Sequence, residues 1–481
     1  MKRIPIEETI KNIAKKVRVA GWVNSRRDHG KIVFTDLRDR TGLLQIVFAP
    51  SKHQTSSTKI QTDIYDLAQT LRTEWVISVE GKINKRPEKM VNSKIPTGKI
   101  ELDAEKLDIL NKAETPPFAL DTDGYEINEE HRLKYRYLDI RRERMRNNLI
   151  LRHKVIQFIR NFLSEKSFIE IETPILTKST PEGARDYVVP SRVHHGNFYA
   201  LPQSPQQYKQ LLMVAGIEKY FQIARCFRDE DTRGDRQPEF TQLDLEMSFP
   251  TQDEILSLTE ELYIKIIKTL TPEKHITKIP FPRLGYDEVM KKYKTDKPDL
   301  RKNSARGGSA FGGKKDPNEL AFAWIIDWPL FEWNKGGKRW DPMHHIFTAP
   351  KTEDVPLLDK DPSKMRSWQH DLVLNGNEIG GGSIRIHKPE IQEKVFKLVG
   401  LKEEEIQNKF GHLLKAFQYG TPPHGGIATG IDRLIMILRN EPSIREVVAF
   451  PKTGDGKDLM MNAPSKIDAK QLKELGIKFQ K

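Results

Sequence analysis

The sequence predicts an α+β protein in which a small N-terminal β-barrel precedes a larger domain of helices and strands. Three observations lead to this prediction. Residues 17 to 109 contain five runs of alternating apolar residues, which is the pattern of half-buried strands. Residues 113 to 130 are rich in Pro, Asp and Gly, as linkers are. From residue 131 to 481, amphipathic helices and strands follow each other. We therefore divide the chain into a domain at 1–112, a linker at 113–130 and a domain at 131–481.

The five N-terminal runs are VRVAGWV, KIVFTDL, LLQIVF, WVISVEGKI and KIELDAEKLDIL, and the helix-like stretch IYDLAQTL lies between the third and the fourth. Five strands with a helix after the third predict an OB-fold barrel. The charge balance agrees with a nucleic-acid partner, because 80 Lys and Arg stand against 67 Asp and Glu and give a net charge of +13. A generally basic proteome would produce the same balance.

The composition also limits the compartment and the chemistry. A single cysteine, Cys226, excludes an internal disulfide framework and a zinc site built from cysteines. No apolar run approaches the roughly 18 residues of a membrane span, and MKRIPIEETIKN has no apolar signal core. We expect a soluble, cytoplasmic protein with no membrane partner.

The first cluster of candidate functional residues lies at 220–249, which reads as strand, charged loop and strand. Arg228, Glu230, Gln242 and Asp244 are expected to point inward, where charge is costly unless a partner neutralises it. This predicts a ligand site: Arg228 would hold the α-phosphate of a nucleotide, and Glu230 would accept from the adenine amino group or position the acceptor end of an RNA. The loop at 231–236 is equally well interpreted as a solvated charged loop.

The second cluster is EIGGGSIRIH at 378–387. Its three glycines are expected to let a ligand approach the backbone closely. Glu378 and Asp371, on adjacent strand-like segments, could hold Mg²⁺ against phosphate oxygens. Arg385, on the next strand, could bind a carboxylate with both arms of its guanidinium group.

The third cluster is HGGIATGIDRLIMIL at 424–438, which we interpret as a glycine-rich turn leading into a helix. Ile431, Leu434, Ile435 and Leu438 form the buried stripe of that helix. Arg433 lies near its positive end and away from the core, as triphosphate binding requires, although most isolated helical arginines are simply solvated. No GxxxxGK[ST], GxGxxG or HExxH element is present, so any ATP chemistry uses another scaffold.

Other segments carry polar candidates outside these clusters. TPEGARDY and LPQSPQQYKQ contain Glu182, Gln206 and Lys209. His344 and His345 are adjacent and would alternate faces in a strand, which favours a hydrogen-bonding role over joint metal binding. The stretch NSARGGSAFGGKKDP, at 303–317, predicts a flexible surface loop.

The helix predicted at 147–164 has one apolar face, formed by Leu151, Val155, Phe158, Ile159 and Phe162. Taken together, this helix with the strand ending in ETPIL, the FRDE hairpin and the GIDRL helix resemble the three signature motifs of class II aminoacyl-tRNA synthetases. The stretches EGARDY, QSPQQYKQ, CFRDEDTRGDRQPEFTQLDLEMSF, MHHIFTAPK and EIGGGSIRIH are similar to the bacterial-type aspartyl-tRNA synthetases in particular. The resemblance implies an antiparallel six-stranded catalytic sheet flanked by helices, an OB-fold that reads the anticodon, and a homodimer formed through the helix and strand of the first motif. It also implies the activation of L-aspartate by ATP with Mg²⁺, followed by transfer of aspartate to tRNA(Asp).

The resemblance further implies roles for matching residues. The residues expected to be catalytic are Arg228, Glu378 and Arg433. The residues expected to bind aspartate are Glu182, Gln206, Lys209, Arg228, Asp244, His344 and Arg385. Those expected to bind ATP are Arg228, Asp229, Glu230, Gln237, Glu378, Gly430, Ile431, Asp432 and Arg433, with Glu378 and Asp371 for the metal. Those expected to meet the anticodon are Arg27, Phe34 by stacking, and Gln45 by hydrogen bonding.

The sequence departs from that family at one place, and several alternatives stay open. Bacterial-type members usually carry an extra domain between the second and third motifs. Here that domain is missing, because DKPDLR passes through the glycine-rich loop to ELAFAWIIDWPLF.

An asparaginyl- or lysyl-tRNA synthetase would share the fold, but Arg385 with Lys209 favours aspartate. A non-catalytic RNA-binding paralogue would be expected to lack Arg228, Glu378 or Arg433. The sequence leaves open whether tRNA(Asn) is charged as well, a choice that would depend on loops such as those of His29 and Lys89.

Overall fold

A computed structural model describes residues 1–50, 64–180, 183–301 and 315–479 of the chain. It contains two compact units, which we call the barrel unit (Met1–Glu129 with Tyr137–Arg146) and the sheet unit (Glu130–Arg136 with Asn147–Lys481). Residues 113–129 of the predicted linker thus group with the barrel, together with the ten residues Tyr137–Arg146. Most of the predicted loop at 303–317 lies outside the described residues, as does Glu182.

The barrel unit is a closed five-stranded barrel with the strand order β1-β2-β3-β5-β4. Its elements are β1 Lys16–His29, β2 Ile32–Asp39, β3 Gly42–Phe48, α1 Ile64–Gln69, β4 Val76–Lys85 and β5 Ile100–Asn111. Buried and partly exposed residues alternate along β1, as in Val17 and Val19, so one face of each strand fills the core. A Cβ on Gly21 would lie 2.2 Å from the Arg38 carbonyl oxygen, so glycine is needed where the strands approach closely. The predicted OB-fold order, with a helix after the third strand, is confirmed.

The sheet unit is built on one eight-stranded sheet with the order β12-β14-β17-β18-β19-β10-β9-β6. These strands are β6 Ile169–Glu170, β9 Lys219–Phe227, β10 Glu239–Ser248, β12 Arg283–Gly285, β14 Phe322–Ile326, β17 Gln369–Leu374, β18 Asn377–Ile384 and β19 His424–Gly430. The central six are antiparallel, as expected, whereas β6 and β12 pair with their neighbours in parallel. The expectation of six strands is therefore corrected to eight, because both edges gain a strand of only two or three residues.

Three short two-stranded sheets accompany the main one. Their strands are β7 Val188–Pro190 with β8 Phe198–Ala200, β11 His275–Ile276 with β13 Glu319–Leu320, and β15 Phe331–Asn334 with β16 Arg339–Pro342. The helices that follow the barrel are α2 Glu129–Lys134, α3 Arg136–Asp139, α4 Glu143–Glu165, α5 Gln206–Val214, α6 Gln252–Leu270, α7 Tyr286–Tyr293, α8 Pro389–Leu398, α9 Glu403–Phe417, α10 Ile431–Leu438 and α11 Ala469–Glu474. Short 3₁₀ helices cover Ile6–Asn12, Glu88–Met90, Thr352–Asp359, Pro362–Lys364 and Ile444–Glu446.

The long helices pack their apolar stripes onto the sheet. Helix α4 buries Leu151, Val155 and Ile159 in the same core that holds the stripe of α10, as the spacing predicted. Helix α6 begins at a capping box. The Thr251 side chain accepts from the Glu254 backbone N–H, and the Glu254 carboxylate accepts from the Thr251 backbone N–H. Within the described ranges, no helix has both the length and the apolar character needed to cross a bilayer.

The predicted glycine-rich turn at 424–430 is wrong, because these residues form β19 in the middle of the sheet. A Cβ on Gly426 would lie 2.0 Å from the Leu245 carbonyl oxygen, and one on Gly382 would lie 2.1 Å from the Gly426 carbonyl oxygen. Glycine therefore occupies these positions because three strands approach too closely for any side chain. We interpret Gly380 to Gly382 as glycines that let a ligand approach the backbone. Close approach to a neighbouring strand is a second reason for glycine at these positions.

Candidate active site

A cavity of about 370 Å³ opens on the face of the sheet above β10, β17, β18 and β19. Helix α5 supplies one wall, and the start of α10 supplies another. The cavity brings together most of the side chains singled out in the sequence. Its lining includes Gln206, Lys209, Arg228, Glu230, Gln237, Asp244, His344, Asp371, Glu378, Arg385, Gly430, Asp432 and Arg433.

Four charged side chains form a buried charge cluster at the inner end of this cavity. The Lys209 ammonium lies 2.9 Å from Asp244 Oδ2 and 3.2 Å from Glu246 Oε2. Arg385 donates from Nε to Glu246 Oε1 at 2.9 Å and from Nη2 to Oε2 at 3.1 Å. Every member is at least 98% buried. Two cations and two carboxylates offset each other, which makes this burial tolerable.

The two carboxylates of the cluster have opposite pKa shifts. Burial raises the pKa of Asp244, and the nearby Lys209 ammonium only partly opposes that shift. Burial also acts on Glu246, but Arg385 and Lys209 outweigh it and lower its pKa to about 2. Asp244 Oδ1 has no hydrogen-bond partner among the described residues. The cluster therefore offers one free acceptor to a ligand with a positive group.

The adjacent histidines do not lie in a strand, contrary to the expectation, and they make different contacts. His344 Nε2 lies 3.0 Å from Asp371 Oδ2, and this carboxylate raises the pKa of His344 against the lowering effect of burial. His345 lies 2.8 Å from Arg385 Nη1, and burial, together with that cation, holds the pKa of His345 well below its usual range. His344 thus extends the acidic side of the cavity, whereas His345 supports the guanidinium group.

A second acidic region lies toward α10. Glu378, on β18, pairs with the Lys297 ammonium at 2.8 Å, and this ammonium outweighs the effect of partial burial and lowers the pKa of Glu378. Arg433 donates to the Glu378 carbonyl oxygen at 2.7 Å and pairs with Asp235 at 3.2 Å. Because its guanidinium group is fixed at two points, Arg433 presents a positioned cation to the cavity.

Arg228 and Glu230 extend from the end of β9 into the same cavity. The Arg228 guanidinium lies 5.2 Å from the centre of the Phe240 ring, and its Nε has no hydrogen-bond partner among the described residues. Glu230 pairs with Arg236 at 3.6 Å, and Gln237 accepts from the Lys452 backbone at 2.8 Å. An unpaired buried donor beside a flat aromatic ring is suited to an anionic ligand.

Three of the residues assigned to ligands are not among the described lining residues. Ile431 is 1% exposed and packs in the core, because it belongs to the apolar stripe of α10. Asp229 lies outside the lining, and its backbone N–H donates to the Arg185 carbonyl oxygen. Glu182 lies outside the described residues. Asp432 does line the cavity, but its carboxylate accepts from Arg152 and from the Thr241 backbone.

The structure adds site residues that the sequence reasoning missed. Glu246 lies two positions beyond Asp244 on the same face of β10, so the alternation of LDLEMS was a signal for it. Gln369, 2% exposed, donates to Asp371 Oδ1 at 2.8 Å and leaves its own Oε1 without a partner among the described residues. Lys297 carried no local signal, because its segment reads as a loop.

Two carboxylates, Asp371 and Glu378, line the cavity where a divalent cation is expected. The described part of the chain has no group of three or more His, Cys, Asp or Glu placed to hold a metal by itself. Mg²⁺ usually takes only one or two carboxylates from a protein and completes its shell with water and substrate phosphates. The two carboxylates therefore fit a Mg²⁺ ion that arrives with a nucleotide.

The three residues proposed for RNA contact share one outer face of the barrel unit. Arg27, on β1, faces Phe34 directly across to β2, and Asp36, two residues on, faces Gln45 of β3. Arg27 donates to Asp36 at 3.0 Å, and Gln45 donates to Glu101 at 3.0 Å. Phe34 is only partly buried, so its ring is accessible among polar neighbours.

Two family models match the chain. Residues 128–454 match the class II tRNA synthetases (D, K and N), and residues 17–110 match the OB-fold nucleic acid binding domain. An antiparallel sheet with arginines and carboxylates over its centre, together with a separate OB-fold barrel, agrees with both. The chain belongs to the class II tRNA synthetases of the D, K and N group.

Within that family, the chain is 46% identical to the aspartate–tRNA(Asp/Asn) ligase of Rubrobacter xylanophilus, over 97% of this chain and 95% of that protein. It is also 46% identical to the ligase of the same name from Dictyoglomus turgidum, over 98% and 97%. The first alignment spans 579 residues although this chain has 481, so that relative contains internal sequence with no counterpart here.

The fold is similar to that of solved structures with lower identity. The asparaginyl-tRNA synthetase of Pyrococcus horikoshii, solved with asparaginyl-adenylate, matches with a TM-score of 0.73 at 22% identity, over 94% of this chain and 98% of that chain. The aspartyl-tRNA synthetase of Entamoeba histolytica matches with a TM-score of 0.69 at 21% identity, over 94% and 91%.

Proposed function

We propose that this chain is an aspartate–tRNA ligase, which activates L-aspartate with ATP and transfers it to tRNA(Asp). The observation that carries the proposal is the buried charge cluster, where Lys209 and Arg385 present two fixed cations and Asp244 presents a free carboxylate oxygen. Aspartate carries the complementary groups, a side-chain carboxylate for the cations and an ammonium for Asp244. Gln206 and His344 complete the amino-acid site, and Glu182 stays a candidate from the sequence.

The first step joins aspartate to the α-phosphorus of ATP. An oxygen of the α-carboxylate attacks, a P–O bond forms to give the mixed anhydride, and the bond to the β-phosphate breaks to release pyrophosphate. Arg228 and Arg433 stabilise the negative charge on the phosphates, so the protein contributes positioning and electrostatics rather than a nucleophile. Glu230, Gln237 and the backbone of Gly430 contact the ATP molecule.

Mg²⁺ bound by Glu378 and Asp371 would supply charge stabilisation to the phosphates during this step. Asp371 is oriented for that task from both sides, because His344 and Gln369 each contact one of its oxygens. Such supporting contacts fix the direction in which a carboxylate presents its free lone pairs.

In the second step, a hydroxyl of the terminal ribose of the tRNA attacks the carbonyl carbon of the adenylate and releases AMP. The outer face of the barrel that carries Arg27, Phe34 and Gln45 would hold the anticodon, with one base stacked on Phe34. Replacing Phe34→Ala is expected to lower the charging kcat/KM for tRNA by about fivefold or more, since a stacked base contributes roughly 1–3 kcal/mol. Aspartate-dependent ATP–pyrophosphate exchange, which needs no tRNA, should be unchanged.

Charging of tRNA(Asn) in addition to tRNA(Asp) is a second part of the proposal. It is supported by the relatives at 46% identity, whose name covers both tRNAs. The choice between the two tRNAs would involve His29, which is exposed at the last position of β1, and Lys89, which is exposed in a 3₁₀ helix of the barrel unit.

We also propose a homodimer. Strands β6 to β8 and the chain between them leave a group of large apolar side chains exposed, and such a group usually marks an interface. Its members, with relative exposures from 41% to 84%, are Ile169, Ile175, Leu176, Val188, Val193 and Phe198. Light scattering should give twice the monomer mass of 55.6 kDa, and Val193→Glu should shift the protein toward the monomer.

The experiment that tests the function is ATP–pyrophosphate exchange with each of aspartate, asparagine and lysine, followed by charging of tRNA transcripts with aspartate and asparagine anticodons. Exchange with aspartate alone is expected, and Arg385→Ala should abolish it. Exchange with asparagine or lysine instead would assign a different substrate. No exchange with any amino acid would leave a non-catalytic RNA-binding protein as the better interpretation.

A further inference from the structure

The segment that follows α7 brings a lysine to the acidic region of the cavity. Lys297 Nζ lies 2.8 Å from Glu378 Oε2, and the two side chains are 31% and 33% exposed. Glu378 is the residue to which the proposed function gives the Mg²⁺. The ammonium therefore contacts an oxygen that the metal would need.

Contacts on both sides of Lys297 hold its segment in place. The Lys297 backbone N–H donates to Thr295 Oγ1 at 3.1 Å. Asp299 accepts from Arg301 at 2.7 and 3.0 Å and pairs with Lys315. Burial tends to raise the pKa of Asp299, but these hydrogen bonds bring it to about 2, so the carboxylate stays ionised.

The segment also packs against the turn between the two strands that carry the metal carboxylates. A Cβ on Gly376, in the turn from β17 to β18, would lie 3.4 Å from Asp299 Cβ and 3.8 Å from the Lys297 carbonyl oxygen. The backbone under Lys297 is thus fixed relative to Asp371 and Glu378. The flexible part of the arrangement is the lysine side chain itself.

We propose that Lys297 is a positioning residue that holds the Glu378 carboxylate before Mg²⁺ arrives and competes with the ion for it. Mg²⁺ at about 2.1 Å from the oxygen that accepts from the ammonium would lie close to that ammonium, and the two cations would repel each other. Metal binding at Glu378 therefore weakens the contact with Lys297 and favours its displacement. The phosphates that enter with the metal offer the displaced ammonium a new anionic partner. Replacement of Lys297 by the metal at Glu378 is therefore favoured only when nucleotide and metal bind together.

The inference rests on the proposed function only for the metal role of Glu378, and its test does not require activity. Mn²⁺, which prefers the same oxygen ligands, would be titrated against full-length protein without ATP, and free Mn²⁺ would be measured by electron paramagnetic resonance. Lys297→Met removes the charge at similar side-chain volume and should bind Mn²⁺ about fivefold more tightly than the wild type, a gain set by the loss of one partly exposed ion pair. Lys297→Arg keeps the charge and should bind Mn²⁺ like the wild type.

Two controls make the result specific. Lys291, an exposed lysine of α7, gives the matched variant Lys291→Met, which should not change Mn²⁺ affinity. In a Glu378→Gln background, Lys297→Met should no longer have an effect. Thermal melting of each variant checks that it is folded. Lys297→Gln, which also removes the charge, carries the comparison if the methionine variant is not folded: a tighter Mn²⁺ affinity in Lys297→Gln then supports the competition, and an unchanged one overturns it.

Equal Mn²⁺ affinity in the wild type and a folded Lys297→Met would overturn the inference, as would a gain that persists in Glu378→Gln. In exchange assays, the methionine variant should reach half-maximal rate at a lower Mg²⁺ concentration than the wild type. If the wild type shows no aspartate-dependent exchange, the proposed function fails, and the Mn²⁺ titration still decides whether Lys297 competes for Glu378.

Discussion

Replacing Arg385→Lys tests whether the geometry of the buried charge cluster, rather than its charge, selects aspartate. Among the contacts of the arginine are three hydrogen bonds, at 2.9 and 3.1 Å to the two oxygens of Glu246 and at 2.7 Å to Ser383 Oγ. A lysine keeps the positive charge, but its single ammonium cannot reproduce the planar fork. We expect it to keep one of these contacts and lose two.

The size of the effect follows from those contacts. A hydrogen bond to a charged group contributes about 1.5–3 kcal/mol, so losing two costs roughly 3 kcal/mol or more. If the cost appears in substrate binding and the transition state, kcat/KM for aspartate falls by at least about a hundredfold, at 1.36 kcal/mol per factor of ten. KM for ATP should change by less than about twofold, because the nucleotide contacts lie elsewhere in the cavity.

The assay is ATP–pyrophosphate exchange with aspartate varied at saturating ATP, beside a thermal melt of each variant. The matched control is Arg225→Lys, an arginine of β9 whose side chain is 47% exposed and pairs with Glu239 at 2.6 Å. Exposed pairs of this kind contribute under about 1 kcal/mol, so the control should keep its activity. A folded Arg385→Lys enzyme with kcat/KM for aspartate within fivefold of the wild type would refute the reasoning.

Acid should destabilise the sheet unit through its buried histidines. Burial lowers the pKa of His370 to about 3 and of His424 to about 4, and it holds that of His345 well below the usual range. The unfolded chain takes up these three protons below about pH 6.5 and the folded chain does not, so stability falls as the pH drops from 6.5 toward 4, by up to roughly 4 kcal/mol per pH unit. A melting temperature that stays constant between pH 7 and 5 would contradict this. Gly426→Ala should destabilise the fold by about 3 kcal/mol in denaturant titrations, because its Cβ would meet the Leu245 carbonyl oxygen at 2.0 Å; a stability equal to that of the wild type would show that the strands can separate.

The elements that the sequence predicted well are those defined by local periodicity. The stripe of α10 from Ile431 to Leu438 and the buried face of α4 depend on residues three and four apart, so the sequence alone defines them. The barrel strands alternate with a period of two, which identified all five of them along the chain. In each case, the determining residues are neighbours along the chain.

The parts that could not be predicted depend on contacts between distant segments. The stretch HGGIATG reads as a turn because glycine disfavours strands, and only the approach of Leu245 and Gly382 on neighbouring strands makes glycine necessary there. Glu246 and Lys297 were missed for a related reason. Their importance comes from Arg385 and Glu378, which lie 139 and 81 positions away in the sequence.

If the cluster is the aspartate site that we propose, the arrangement of its charges explains how a neutral site selects a charged amino acid. Lys209 and Arg385 together offset Asp244 and Glu246, so the cluster has no net charge to attract aspartate as an anion. Selection must come from where the charges lie: Glu246 is held between the two cations, whereas Asp244 keeps one oxygen without a partner. A ligand therefore meets a cationic end and an acceptor end. Asparagine would leave the cationic end without an anion, and the side-chain ammonium of lysine would meet two like charges, so both should bind more weakly than aspartate on the same protein.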